Sequence, residues 1–561
     1  MIILNILILF LVLTFLFCIH NSKRCASGEY QKKLTLKPLA TLSNRTRFLQ
    51  NDEWEAIRIH VDYTNLDSKL GQVTQEMIDG IKQVMGEAIN AYQQILKVKR
   101  LDVPLKIDFC DSDLQISSQV STTGVEADLV IFPTFNIESD RNVEAYAGAC
   151  AIDPINGRPV AGAITFTKLS DFSKKNSKYN RSLLVLHELN HILAFNNDLF
   201  GNFRKEDGSQ YQYEEVVKVV TINEKSTKII TTPKVVEAAK KHFGCNSLEG
   251  VELEDQGGLG TAGNHWEQRI MHGDFMVSES LPENVISEIS LALFEDSGWY
   301  MVNYYTGGLF RYGKNKGCNF LKTKCIQNGE SISKNEFPIT KEGSFPACFA
   351  GRTSKGIAYI QTYTNDLPPE FQYFNNPKLG GNKNNDFCPV AYNSNLDGWY
   401  DAESCWIGKS EYILGLGETI GADSNCFYSS LTFSNDNSTL HYKDVTRPIC
   451  HKVTCDYENN KYTVTIREKT FECDTDGGQI SVDGFDGKFY CADFNLICTK
   501  TIKCGDVFDC ISKKSLRREP LVYTPEESVG EVGFLPKDPN QSSFLKYSMI
   551  CFYFLLLMLL E

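Results

Sequence analysis

Net positive charge is what this sequence most clearly lacks. Across 561 residues, 57 Lys and Arg stand against 70 Asp and Glu, a formal net charge of -13. Nucleic-acid binders rely on clustered basic charge against phosphate, so that class is excluded. Histidine is scarce as well, at nine, so a close grouping of histidines would need a reason. Unbroken apolar runs stop well short of the roughly 20 residues that a membrane helix needs. There is no internal repeat and no long low-complexity segment. The Gly-heavy stretch Gln256 to Gly263 lacks the Lys-Ser/Thr of a phosphate loop, so it reads as a plain loop.

What is present is enough for a packed core, with 42% hydrophobic and 23% charged residues. The length allows about four domains at roughly 150 residues each. Cysteine is abundant at 19, which fits a disulfide-braced protein of an oxidising compartment better than a cytosolic one. The two ends agree with that compartment. Met1 to Ile19 carries no charge and only Asn5 and Thr14 as polar interruptions, so residues 1–20 are expected to be a secretory signal peptide. An uncleaved anchor is the competing reading, but Lys23 and Arg24 would then keep the chain in the cytosol. Met549 to Leu560 is an apolar run after small polar residues (Asn540, Ser542, Ser543), as in a GPI-attachment signal. Asn540 or Ser542 would be the attachment site, and a short tail anchor is the alternative. Sequons at Asn44, Asn180, Asn437 and Asn540 add weak support for secretion.

Apolar residues recur at helical spacing in Gln75 to Arg100. Leu105 to Cys110, Ala127 to Pro133, Ala145 to Ile152 and Ala163 to Thr167 read as strands. Ser182 to Phe195 reads as a buried helix, giving an α+β domain that ends near residue 195. Asn196 to about Gly317 is polar and expected to be loop-rich. Cys318 to Cys510 reads as a β- and loop-rich module held by bridges. With Cys18, Cys25 and Cys551 set aside, three cysteines precede residue 250 and 13 lie from Cys318 onward. Both counts are odd, so one bridge must cross the gap if all pair. Cys245 with Cys318 is the candidate, which leaves Cys110 for Cys150.

The strongest chemical signal is His187-Glu188-Leu189-Asn190-His191. Histidines at i and i+4 share one helix face, as two neighbouring ligands of a tetrahedral Zn²⁺ must. Glu188 then stands beside the open coordination position, where it can act as general base. The surrounding residues Leu183, Leu184, Leu186, Ile192 and Leu193 are apolar, so ionisable groups there demand a function. A catalytic zinc takes a third protein ligand, and metzincins place it six residues after the second histidine. No histidine stands there; His242, His265, His272, His441 and His451 are the downstream candidates.

His265 lies in Gly263-Asn264-His265-Trp266, and Met276 follows in Asp274-Phe275-Met276. This resembles leishmanolysin, the metzincin family in which a long insertion separates the helix motif from its third histidine. Asn51 to Val61, Asp296 to Tyr300 with Asn315 to Cys318, Phe387 to Val390, Asn425-Cys426 and Cys450 to Cys455 are similar to further family segments. The resemblance implies that His187, His191 and His265 bind one zinc ion, that Glu188 is the general base acting on zinc-bound water, and that Met276 forms the Met-turn beneath them. It implies a metzincin-type catalytic domain with a long insertion, then a disulfide-rich, β/loop-rich C-terminal module. The expected division is a signal peptide (1–20), a short pro-segment (21–48), an N-terminal catalytic subdomain (49–195) and a central subdomain with the third ligand (196–317). A cysteine-rich module (318–512), a polar stalk (513–543) and the hydrophobic tail (544–561) complete it.

The implied function is a zinc endopeptidase acting on extracellular proteins at the cell surface, with adhesion as a second role. An inactive adhesion ectodomain of the same fold, or a soluble secreted protease, is the alternative reading. Ala145 to Ile152 would be the edge that pairs with extended substrate. Cys25 is a candidate pro-segment switch, its thiolate taking the open zinc position. Ala194 stands where the family has Gly as the chain leaves the zinc helix, which would cost about 1 kcal/mol if φ is positive there. His242 and His272 are read as structural, His272 as a surface or supporting residue.

Overall fold

The computed structural model describes residues 23–25, 30–31, 34, 36–42, 53–136, 143–167, 172, 178–279, 281, 283–304, 310–339, 342–392, 404–405, 416–421, 423–434 and 445–498. The expected signal peptide, stalk and apolar tail, and Asn44, Asn437, Asn540 and Ser542, lie outside them. Among the described residues no helix is long and apolar enough to cross a membrane.

A mixed sheet organises the first half. Its strands are β1 (Lys23–Cys25), β2 (Lys37–Pro38), β4 (Ile59–Val61), β6 (Leu129–Phe135), β7 (Val143–Ile152) and β8 (Pro159–Phe166). The order is β1-β7-β8-β6-β4, with β2 also on β7. Only the β7–β8 pair is antiparallel; β1 and β2 run parallel to β7. Every residue of β8 is buried, the pattern expected of a strand covered on both faces.

Helix α1 (Gln75–Ile95) starts where the Thr74 hydroxyl accepts from the Met77 amide at 3.3 Å. It buries Ile78, Ile81, Val84, Met85, Ala88, Tyr92 and Ile95 along one face. The helical reading of Gln75 to Arg100 overshoots at its end. Leu96-Lys97-Val98-Lys99 alternates buried and half-buried with period two, and the chain turns extended at Leu96 to form β5 (Leu96–Lys99). This strand pairs with β3 (Trp54–Ala56) and with β12 (Met301–Val302). Leu105 to Cys110 is not a strand. Its backbone bonds go to separate points, Leu105 to Val125 and Ile107 to Val120. The apolar side chains fill a second core instead, pinned by the Cys110–Cys150 bridge.

Helix α2 (Lys178–Leu193) lies across β7 and β8 and carries the H-E-x-x-H residues. Gly162 on β8 permits that approach: a Cβ there would come within 2.5 Å of Ile192 and 2.8 Å of the Gly148 carbonyl.

The stretch after Asn196 is far more regular than its polarity suggests. It contains the hairpin β9 (Val217–Ile222) and β10 (Lys225–Ile230), extended by β11 (Val251–Glu252). Helix α3 (Pro233–Phe243) opens with Pro at its first turn and closes on Gly244 at φ 69°. Helix α4 (Glu288–Asp296) packs on α3, and the Asp296 carboxylate accepts from the Lys234 and Val235 amides at 3.0 and 2.9 Å. The polar sequence misled because many of its charged residues, among them Glu252, Glu254, Glu267 and Lys225, are buried.

One core runs from Ile57 to Tyr392 and so includes the first part of the cysteine-rich region. A separate core forms from Phe427 to Cys498, around β15 (Ser424–Ser429), β16 (Arg447–Asp456), β17 (Lys461–Ile466) and β18 (Lys469–Cys473). The earlier hairpin β13 (Gly343–Cys348) and β14 (Lys355–Thr362) lies against β16. Bridges Cys110–Cys150 and Cys245–Cys318 are both present. Five more follow: Cys325–Cys388, Cys348–Cys426, Cys405–Cys450, Cys455–Cys498 and Cys473–Cys491.

Candidate metal centre

Helical spacing puts His187 and His191 one turn apart on α2, and a β-bridge between Leu253 and Trp266 delivers His265 opposite them. The three rings converge. His187 Nε2 lies 3.1 Å from His265 Nε2 and 3.1 Å from His191 Nε2. All three residues, and Glu188 beside them, are fully buried.

Each ring is held from behind by a backbone carbonyl. His187 Nδ1 donates to Phe275 O at 2.6 Å, His191 Nδ1 to Phe195 O at 2.8 Å, and His265 Nδ1 to Thr261 O at 3.0 Å. A carbonyl only accepts, so each neutral ring carries its proton on Nδ1 and turns an Nε2 lone pair to the centre. The 3.1 Å contacts are therefore lone pair against lone pair, not hydrogen bonds. Burial, and then the facing His265, push the His191 pKa well down and keep the ring neutral. Three lone pairs so placed call for a cation. Tetrahedral zinc with Zn–N near 2.05 Å sets its nitrogens about 3.3 Å apart, close to the observed spacing. The donor set fits that metal, and the carbonyl partners are the outer support such ligands need.

Met276 is fully buried in the turn that supplies the Phe275 carbonyl. That turn is fixed by Asp274, which accepts from the Met276 amide at 2.7 Å and the Ser290 hydroxyl at 2.8 Å. Burial pushes the Asp274 carboxyl up to about 6. Trp266 packs edge-on against Phe195 with ring centres 4.7 Å apart, and its Nε1 donates to Ser290 Oγ at 2.8 Å.

A family model described as leishmanolysin, of the M8 peptidases, matches residues 73–504. The chain belongs to the leishmanolysin family. It is 26% identical over 453 residues to a leishmanolysin homolog of Crithidia fasciculata, covering 77% of this chain and 65% of that one. A leishmanolysin-like peptidase of Drosophila melanogaster is 32% identical over 266 residues, 41% of this chain and 39% of the relative. Leishmanolysin of Leishmania tropica is 26% identical over 395 residues, 69% and 56% of the two chains. The chain thus spans less than two thirds of the length of these curated relatives.

Where the family has Gly, Ala194 is unstrained. Leu193 ends the helix, the Ala194 and Phe195 amides both donate to Asn190 O at 2.9 Å, and Ala194 is not among the positive-φ residues. The anticipated left-handed residue is absent, so the methyl group costs nothing there. His272 is buried rather than on the surface, stacked on Phe349, with Nε2 donating to Ala391 O at 2.9 Å. His242 likewise donates to Tyr312 O at 2.8 Å and stacks on Phe310. Neither joins the centre.

The β7 edge is not open. Residues of the N-terminal segment lie along it, with Cys25 opposite Ala145 and Lys37 opposite Ala151. Between these strands, Gln31 Nε2 donates to Ala149 O at 3.0 Å and Asn196 Nδ2 donates to Gln31 Oε1 at 3.1 Å. A Cβ on Gly148 would come within 2.6 Å of Gln31 and 2.9 Å of Leu34. Sequence reasoning missed Gln31, Asn196 and the three supporting carbonyls; backbone acceptors leave no trace in residue identity.

Proposed function

We propose that the chain is a metzincin-type, zinc-dependent endopeptidase for extracellular proteins, and that its N-terminal segment holds it latent. The observation that carries this is the convergence of three Nε2 lone pairs, each fixed by a carbonyl, around one point beside a buried glutamate. His187, His191 and His265 hold the metal, and Met276 closes the floor. A bound zinc ion supplies Lewis-acid polarisation of the scissile carbonyl and acidifies the attacking water. Glu188 takes the proton from that water and passes it to the departing amine. Its burial among apolar side chains keeps bulk water from competing for that proton.

Strand β7 offers backbone groups to an extended peptide, a mode that tolerates many sequences. Gln31 and the strands β1 and β2 occupy those groups, so their departure precedes turnover. Cys25, at the start of this segment, is the proposed thiolate switch. Secretion is supported by seven disulfides among the described residues. Attachment to the cell surface through a GPI anchor rests on the tail sequence. Its test is release of the protein from cells by phosphatidylinositol-specific phospholipase C.

The test of the chemistry is cleavage of unfolded casein by the protein with its N-terminal segment removed, with and without a zinc chelator, beside Glu188→Ala. Chelator-sensitive cleavage that falls at least about 10²- to 10⁴-fold in the variant is expected. No cleavage by the folded, zinc-loaded protein would leave the adhesion ectodomain as the reading. In the uncleaved chain, Cys25→Ser should raise activity if the thiolate is the switch.

A further inference from the structure

Beside the segment that carries His265 lies a cluster of charge that the proposed chemistry does not use. Lys225 Nζ is 2.6 Å from Asp386, 3.1 Å from Glu252, 3.2 Å from Asp255 and 3.6 Å from Glu267. Glu254 is a fifth carboxylate beside them. Glu252, Glu254, Glu267 and Asp386 are all buried, and Asp255 is about one quarter exposed, at 24% of its side chain. Among the described residues Lys225 is the one cation within ion-pair distance of these acids. The nearby Arg269 is turned away, its guanidinium donating to the carbonyls of Phe320, Leu321 and Thr323. One ammonium therefore faces five carboxyl groups.

The backbone forces this crowding. The Glu254 amide donates to His265 O at 2.9 Å and the Glu267 amide to Glu252 O at 3.0 Å. Glu252 and Glu254, two residues apart in extended chain, share a face. Acids brought together across such a ladder repel unless a cation lies between them.

Several oxygens there accept no hydrogen bond. Glu254 Oε1 accepts from the Gln256 amide at 2.7 Å, but its buried Oε2 has no hydrogen bond. Glu267 Oε2 and Asp386 Oδ1 are likewise buried without a hydrogen bond. So is Thr227 Oγ1, a neutral oxygen on the same face of β10 as Lys225. Thr227, Glu254 and Asp255 line one cleft of about 520 Å³, which gives an ion and its waters a route in.

We propose that Glu254, Asp255 and Glu267 form a calcium site, separate from the histidine centre, that braces the segment bearing His265. One carboxylate oxygen from each lies within 4.8 Å of the other two. An ion centred among them would lie no more than about 2.8 Å from each, which accommodates the 2.3–2.6 Å of Ca–O bonds. Magnesium demands near-ideal octahedral geometry at about 2.0–2.1 Å and usually keeps several waters, whereas calcium accepts an irregular set of protein oxygens. An all-oxygen donor set also selects a hard cation over zinc. Thr227 Oγ1 and cleft waters complete the shell.

The test uses the purified full chain, dialysed against EGTA, then against metal-free buffer, and reloaded with one equivalent of zinc. Elemental analysis after CaCl₂ addition and desalting should find one calcium per chain, and the thermal midpoint should rise by at least about 3 °C in millimolar calcium. Glu254→Gln should abolish both effects. If that variant fails to fold, Asp255→Asn, at the more exposed ligand, should still lose most of the rise. The proposal is overturned if the folded parent retains no calcium and shows no rise. It is equally overturned if magnesium gives the same rise, or if both variants keep it. Ion content and unfolding are the readouts, so failure here leaves the peptidase reading untouched.

Discussion

The half of the molecule around the histidines and the C-terminal cysteine-rich part are held together by different means. The first packs two faces of a mixed sheet under long helices, and within residues 53–318 it has only the Cys110–Cys150 and Cys245–Cys318 bridges. The second builds a small core from Phe427 to Cys498, beside a knot of Cys348, Cys405, Cys426 and Cys450. Short strands with a thin apolar layer cannot offset chain entropy alone, so covalent links do what burial does in the first half. Precision is needed at the histidines, and there rigidity comes from packing. Endurance alone suffices in the second part, and cross-links supply it.

The comparison can be broken at several points. The largest effect should come from the centre itself. Glu188→Gln should lower peptidase activity by about 10²- to 10⁴-fold while zinc content and thermal midpoint stay near those of the parent. A matching loss of stability would show that Glu188 serves the fold rather than the chemistry. Next, Cys455→Ser with Cys498→Ser opens a bridge of sequence separation 43 and should cost the C-terminal unit about 2–4 kcal/mol. Denaturant unfolding should then split into two transitions, with the histidine half unmoved.

Acid should also tell the two regions apart. Burial, together with neighbouring Lys355, lowers His451 in the second region to about 3. Its folded pKa lies below the unfolded value, so the unfolded chain binds the extra proton between pH 6.5 and 3. Stability is therefore full above pH 6.5 and is lost as pH falls, by up to about 1.4 kcal/mol per unit. In the first region His242 and His272, both about 4, act in the same sense, while Asp274 at about 6 acts in the opposite one. A raised carboxyl stabilises below its unfolded value and loses that contribution as pH rises through 6. Urea midpoints of the C-terminal unit should fall between pH 7 and 5, and His451→Gln should flatten that fall while leaving the pH dependence of the histidine half unchanged. The smallest change is Ala194→Gly, which should lower stability by about 0.5–1 kcal/mol because the backbone there gains freedom it does not need. A gain instead would mean a left-handed residue at that position.

The sequence was most legible where a periodic signal coincided with chemistry. His187, Glu188 and His191 on an apolar helix could be read directly from spacing, as could α1, β6 and β8. His265 could not, because 74 residues of chain separate it from His191 and only a family resemblance picked it out. Asn196 to Gly317 was read as loops because buried charges such as Lys225 and Glu267 look like surface. Tertiary burial of paired ions leaves composition unchanged. The N-terminal segment reads as a pro-segment, but nothing in its residues announces that it lies along β7. Non-local strand pairing is decided by the partner edge.

The Cys245–Cys318 bridge closes a ring of chain that contains both His265 and Met276. On the proposed function, the protein lives among copies of itself that can cut it. A cut at any peptide bond inside that ring leaves the two pieces joined through sulfur, so His265 stays in register with helix α2. On a gel, such damage would appear only after reduction.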